Sequence, residues 1–310
     1  MSFNRSLFLT ALAFFVSSQG VQFGQRVKKC QISDAAIFEA SGLATSKTFA
    51  NVAYTLNDRA GKNEIFAVDV NTCQTLAVYT VNSATNWDWE DLAYGPCLDD
   101  CQNGTVCSDV SAPRRYCLYI ADIGDRGGNV PVNNIYVIRE PATVQNSSVD
   151  LAGVLKFNWT APDAETLLIS PDARLFVVSK VSGGQATVAQ VPLAAWNPTS
   201  RVNLDLSQSG TLKISTPSRD PLGGSLSPDG KFLLIVAEYN IYFYSIVNGD
   251  VIKTLNDQVP TEVNTYVRTP STQSIAWAQD QKSFFILPEG ADPSLYAYPI
   301  DTASSGIVVG

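Results

Sequence analysis

The sequence predicts an all-β fold, a β-propeller of five or six four-stranded blades closed by an N-terminal strand. Three observations carry this. Short β-branched and aromatic runs dominate the 310 residues. They recur in a fixed order. No stretch beyond the N-terminal apolar segment shows helical periodicity.

The runs include NVAYTLND, EIFAVDV, QTLAVYTV, YCLYIADI, NIYVIREP, RLFVVSKV, KFLLIVAE, NIYFYSI and SFFILPEG, each bounded by Gly, Asn, Asp or Pro. Lined up, they form units. Each opens with a small-plus-aliphatic strand: SGLATS at 41, EDLAYG at 90, ETLLIS at 165, GSLSPD at 224 and QSIAWA at 273. A strongly apolar strand follows, then a third, and in most units a fourth. Two units share the turn SPD, at Ser170 and Ser227. This internal repetition marks propeller blades. Five units are visible, and a sixth could lie in the irregular segments 196–215 or 249–270. The last unit lacks a fourth strand, which the segment near Val27–Ile32 could supply. Two stacked β-sandwiches are the competing architecture, but they would not require unit-by-unit correspondence.

Residues 1–20 read as a secretory signal peptide, with Arg5, the apolar run Leu7–Val16, and small residues Ser18 and Gly20. No later run has membrane-spanning length, so residues 21–310 are expected to form one secreted, extracellular domain without a membrane anchor. The sequons at Asn103, Asn146 and Asn158 fit a glycoprotein. Six cysteines in an oxidising compartment imply three disulfides, with fifteen possible pairings. The favoured set is Cys30–Cys73, with Cys97–Cys117 and Cys101–Cys107 nested in an insertion at 97–117. That insertion falls between the first two strands of the second unit. Net charge is −8, which disfavours nucleic acid and anionic membranes as partners.

The absence of histidine excludes a Ser–His–Asp triad, a Cys–His pair and a His-ligated metal. The carboxylates are the candidates this sequence offers for a site. Asp88, Glu90 and Asp91 are interleaved with Trp87 and Trp89 at the entry to the second unit. Antiparallel pairing places the start of a blade's first strand beside the end of its second. Those two places hold Glu39 with Asn57 and Asp58, then Glu90 and Asp91 with Asp122 and Asp125. The third unit gives Asp163 and Glu165 with Lys180; the fourth gives Gly223 and Gly224 with Glu238; the fifth gives Gln273 with Glu289. Acids from separate units should therefore meet on one face.

Oxygen-only ligands favour Ca2+ or Mg2+. The candidate metal ligands are Glu39, Asp58, Glu90, Asp91, Asp122, Asp125 and Glu165. Candidate ligand-binding residues are Asn57, Asp163, Lys180, Glu238, Gln273 and Glu289. Lys180, read as the one cation in the ring, is expected to pair with a carboxylate. Asp69, Asp172 and Asp229 read as turn caps, and the two tryptophans mainly as packing residues.

Several motifs resemble secreted TolB-like, phytase- or esterase-like propellers, a largely uncharacterised family. They are S-G-L-A, T-N-W-D-W-E-D-L-A (85–93), Y-I-A-D-I-G-D (119–125), I-Y-V-I-R-E-P (135–141) and D-A-E-T-L (163–167). The resemblance is best over residues 41–180 and implies a propeller with an acidic face. Arg126 stands where the family usually has Asn. Three functions follow as expectations. The first is a secreted propeller that binds a divalent cation, Ca2+ favoured, with a small ligand or another protein. The second is a Ca2+-dependent hydrolase of phosphate esters or lactones, with Glu90, Asp122 or Glu165 as base. The third is an extracellular matrix or structural role.

Overall fold

A computed structural model describes residues 21–58, 61–100, 114–125, 133–161 and 163–301. The five repeat units become five blades around a central axis. Blade one comprises Ala40–Thr45, Val52–Asn57, Glu64–Asp69 and Thr75–Val81, with Ser147–Val149 added in parallel at its outer edge. Blade two comprises Trp89–Pro96, Tyr116–Asp122, Asn133–Arg139 and Leu151–Asn158. Blade three is built from Ala164–Ile169, Leu175–Ser179 and Thr187–Val191, blade four from Gly223–Leu226, Phe232–Val236 and Ile241–Ser245. Blade five comprises Thr272–Trp277, Ser283–Pro288 and Ser294–Asp301.

Ring closure follows the sequence expectation. Gln22–Phe23 and Val27–Gln31 both pair antiparallel with Ser294–Asp301, so the N-terminal segment completes blade five. The irregular segments do not form a sixth blade. Val202–Asn203, Gly210–Thr211 and Thr261–Glu262 instead add short outer strands to blades two, three and four. Between the last two of these lies a helix, Val251–Asp257, which sequence periodicity had not shown. Seven residues are too few for a periodic signal; the legible mark is its cap, Asp250, whose carboxylate accepts from Lys253 N.

Five hydrophobic clusters fill the five interfaces between neighbouring blades. The inner strands carry small residues where they converge on the axis. A Cβ at Gly42 would stand 2.4 Å from Leu92 N. Side chains also bolt inner strands together: Ser41 Oγ donates to Glu90 O, and Ser274 Oγ to Ala40 O. Trp89 is fully buried in the core between blades one and two, while Trp87 is 57% exposed, so the packing role holds for only one of the pair.

Cys30–Cys73 and Cys97–Cys117 form as expected. The first joins the closing strand of blade five to blade one. The second lies at the Pro96 end of blade two, away from the end carrying Trp89. Cys101–Cys107, Asn103, Arg126 and the N-terminal segment 1–20 lie outside the described residues. Asn146 and Asn158 are exposed. Two of the acids read as turn caps act as such: Asp69 Oδ1 accepts from Asn71 N and Thr72 N, and Asp229 Oδ1 from Lys231 N; Asp172 instead accepts from the side chains of Ser170 and Arg174.

Candidate metal centre

The strand register defines a rim. Ala40 pairs with Asn57, Trp89 with Asp122, Ala164 with Ser179, Gly223 with Val236 and Thr272 with Pro288. In four blades the register slips just inside this point, leaving one extra residue on the inner strand. Those residues are Ser41, Glu90, Glu165 and Gln273. A bulge re-aims a side chain that regular alternation would send elsewhere. The acids Glu90 and Glu165 are thus brought to the rim by the same local device.

Two carboxylate triads result. Asp58, Asp88 and Glu90 bring oxygens within 4.8 Å of one another, and so do Glu90, Asp163 and Glu165. Glu90 belongs to both. Three blades contribute, and none of the five acids is more than 7% exposed. Gly124 packs directly on them: a Cβ there would fall 2.1 Å from Glu90 Oε1 and 2.7 Å from Asp88 Oδ2. Only a residue without a side chain lets the Ile123–Asp125 turn pass this close.

Among the described residues, two cations reach the centre. Lys180 Nζ donates to Glu165 Oε1, the expected salt bridge. Glu165 Oε2 is buried with no hydrogen-bond partner. Lys180 is not the only cation, however. Arg219 Nη2 reaches Asp163 Oδ2 at 3.1 Å, from a short ribbon in which Arg219–Asp220 pairs with Val181–Ser182. Burial, then Glu165, Asp58 and Asp88, hold Glu90 well above the usual carboxylate range, with Lys180 pulling back. Burial pushes Glu165 up to about 8 against the pull of Lys180. Burial disfavours the Lys180 ammonium, yet Glu165, Glu90 and Asp163 outweigh it and raise its pKa. The cluster therefore holds protons tightly when alone. It offers an all-oxygen donor set to a hard divalent cation.

The remaining predicted residues surround the triads or serve the frame. Asp91 is fully buried with its oxygens given to the backbone: Oδ1 accepts from Leu92 N and Oδ2 from Leu167 N, both at 2.8 Å. It ties blade two to blade three, and burial pushes its pKa up to about 8. Asp122 Oδ1 accepts from Asp88 N at 3.0 Å and so positions a triad member; burial pushes Asp122 up to about 6. Asp125 N donates to Asp163 Oδ1 at 3.2 Å. Asn57 Oδ1 accepts from Phe38 N and Glu39 N, and its Nδ2 donates to Ala36 O, which fixes the entry to blade one. Among the described residues, the Glu39 carboxylate joins neither triad. Glu238 pairs with Ser218 and Arg268, and Gln273 Nε2 donates to Glu289 Oε1 at 2.7 Å. These last contacts lie in blades four and five, apart from the carboxylate cluster.

Sequence reasoning placed Asp88 in the acidic stretch but not among the ligands, and it missed Gly124 and Arg219. Asp88 precedes the strand, where register gives no position. Gly124 was legible as the glycine of the I-G-D motif. Arg219 sits on a two-residue strand that periodicity does not detect.

No family model matches the chain, and no curated protein matches it. Among solved structures, the PQQ-bound aldose sugar dehydrogenase from Streptomyces coelicolor is similar at TM-score 0.49 and 10% identity, over 91% of this chain and 99% of that one. Kuenenia stuttgartiensis hydrazine synthase gives TM-score 0.39 and 12% identity, over 83% of this chain and 70% of that one. U3-55K gives 0.41 and 11%, over 84% and 67%. The propeller assignment rests on the strand topology of this chain itself.

Proposed function

We propose that this chain is a secreted propeller that binds a divalent cation, Ca2+ favoured, at the rim formed by Asp58, Asp88, Glu90, Asp163 and Glu165. A small ligand or protein would then be recognised through or beside the ion. The observation that carries the reading is Glu90 shared between two buried triads, with Glu165 Oε2 left without a partner. Like charges gathered out of water need protons or a cation; among the described residues, Lys180 pairs with Glu165 and Arg219 with Asp163. Calcium takes six to eight oxygen ligands in flexible geometry, which two triads with backbone or water could supply. Secretion is supported by the N-terminal segment and by two disulfides. Among the described residues, no helix is long and apolar enough to cross a membrane. The motifs at 85–93, 119–125 and 163–167 supply most of the rim and support kinship with TolB-like propellers.

Hydrolysis of phosphate esters or lactones is the second reading, favoured by one observation: burial pushes Glu165 up to about 8 within the carboxylate cluster. A carboxyl poised near neutrality can act as general acid or base. Thermal denaturation of the EDTA-stripped protein during Ca2+ titration tests the first reading, since an ion that binds only the folded state must raise the melting temperature. A midpoint indifferent to both Ca2+ and Mg2+ removes the cation from both readings. If the ion binds, phosphomonoester and lactone panels decide on catalysis; turnover unchanged in Glu90→Gln speaks against the assigned centre.

A further inference from the structure

The inner strands also frame the opposite face. Their far ends line a cavity of about 140 Å³. Leu43 and Leu92 are among its aliphatic lining residues. Tyr94 and Tyr116 lie on its wall, stacked at 5.2 Å with 3° between their planes. Lys47 Nζ stands 5.2 Å from the Tyr116 ring centroid. Arg114 lines the same mouth, its Nη1 donating to Pro171 O at 2.9 Å.

The charge pattern reverses that of the acidic rim. Among the described residues, no Asp or Glu lines the cavity, whereas both Lys47 and Arg114 do, in a chain with 29 acidic and 21 basic residues. Among the described residues, Lys47 enters no ion pair. The wall is also held in place. Glu140, from the I-Y-V-I-R-E-P motif that the rim does not use, accepts from Tyr94 Oη at 2.8 Å, Tyr54 Oη at 2.9 Å, Ser46 Oγ at 2.5 Å, and Thr48 Oγ1. These four hydroxyls come from blades one and two, so Glu140 fixes the Tyr94 ring without itself entering the cavity. The lining mixes polar and apolar surface, and aromatic rings and cationic side chains converge on one concavity, as in small-molecule pockets.

We infer that this funnel is a second binding site, independent of the acidic rim, for a small aromatic carboxylate. The ring lies along the Tyr94–Tyr116 wall and over the leucines, where aromatic surfaces favour offset or edge contacts. The carboxylate faces Lys47 and Arg114, where ionised partners make the stronger hydrogen bonds. Calorimetric titration of the full secreted chain with benzoate, and with benzamidinium as its cationic counterpart, tests this. Benzoate should bind, and benzamidinium should bind about tenfold more weakly or not at all. Lys47→Gln should weaken benzoate about fivefold, and Lys47→Arg should retain it. Lys47 is exposed, so neither change threatens the fold. Glu90→Gln should leave benzoate binding untouched, which separates this site from the rim. Absence of heat with benzoate, equal affinity for benzamidinium, or wild-type affinity in Lys47→Gln each overturns the assignment.

Discussion

Glu90→Gln is the substitution for which the buried rim makes an unusual forecast: the ion-free protein should become more stable. Glu90 shares both triads, so its oxygens lie within 4.8 Å of those of four other carboxylates. Two unit charges at that distance repel by about 3.5 kcal/mol at an effective dielectric constant of about 20. Lys180 offsets part of this, and retention of a proton by Glu90 offsets more. Each tenfold gain in proton affinity on folding still costs about 1.4 kcal/mol once the pH exceeds both pKa values. An amide of the same shape removes that cost, so a gain of about 1–3 kcal/mol is expected at pH 8. For a chain of this size that is roughly 2–6 °C in melting temperature. In the wild type, Ca2+ at a hundred times its Kd contributes about 2.7 kcal/mol. In Glu90→Gln that response should nearly vanish, because the ligand common to both triads is neutral. The assay is thermal denaturation at pH 8 with EDTA and with Ca2+. A variant that melts well below wild type in EDTA, or keeps the full calcium response, refutes the reasoning.

Lys180→Met should act in the opposite sense. It leaves Glu165 without its ion pair and should cost the ion-free protein about 3 kcal/mol at pH 8, while enlarging the calcium-induced rise; chemical denaturation with and without Ca2+ reads both. The calcium response should also depend on pH. Glu165 titrates at about 8 when folded against an ordinary 4.5, so the stability it confers is complete below about 4.5 and is lost as pH rises towards 8. Calcium binds the ionised form, so the calcium-induced rise in melting temperature should be larger at pH 8 than at pH 5; the reverse order contradicts the assigned ligand. Replacing Cys30 and Cys73 by Ser opens a loop of 43 residues, worth about 4 kcal/mol in the chain-entropy account. Equilibrium denaturation should show that loss, with the calcium response retained because the bond lies outside the rim.

Much of the architecture was legible because a propeller repeats its grammar. The five openings from SGLA to QSIA are all inner strands, and their partner runs pair with them in the expected register. The closing strand was legible from the missing fourth strand of the last unit. The short outer strands and the helix Val251–Asp257 were not, since two to seven residues carry too little pattern. At the rim, the rule that joins strand starts to strand ends placed Asp58, Glu90, Asp163 and Glu165 together. The same rule could not separate Glu90 from Asp91. Adjacent in sequence, they have different surroundings: Glu90 enters both triads, while Asp91 accepts backbone N–H groups between blades.

The bulges explain that difference, and with it the asymmetry of the site. Regular alternation would give each inner strand a fixed inward face determined by packing alone. One extra residue at the rim frees a position from that constraint. Ser41, Glu90, Glu165 and Gln273 occupy it, two of them neutral and two acidic. Blade four lacks the bulge, and a Cβ at Gly223 would stand only 2.2 Å from Gln273 O. That blade approaches its neighbour by backbone and adds no rim carboxylate at this level. The acids consequently concentrate in blades one to three, on one side of the axis, where a single ion could reach both triads through Glu90. On the other side Ser41 and Gln273 are joined at 3.4 Å, and Gln273 in turn holds Glu289, so the bulge positions there offer neutral hydrogen-bonding groups in place of carboxylates.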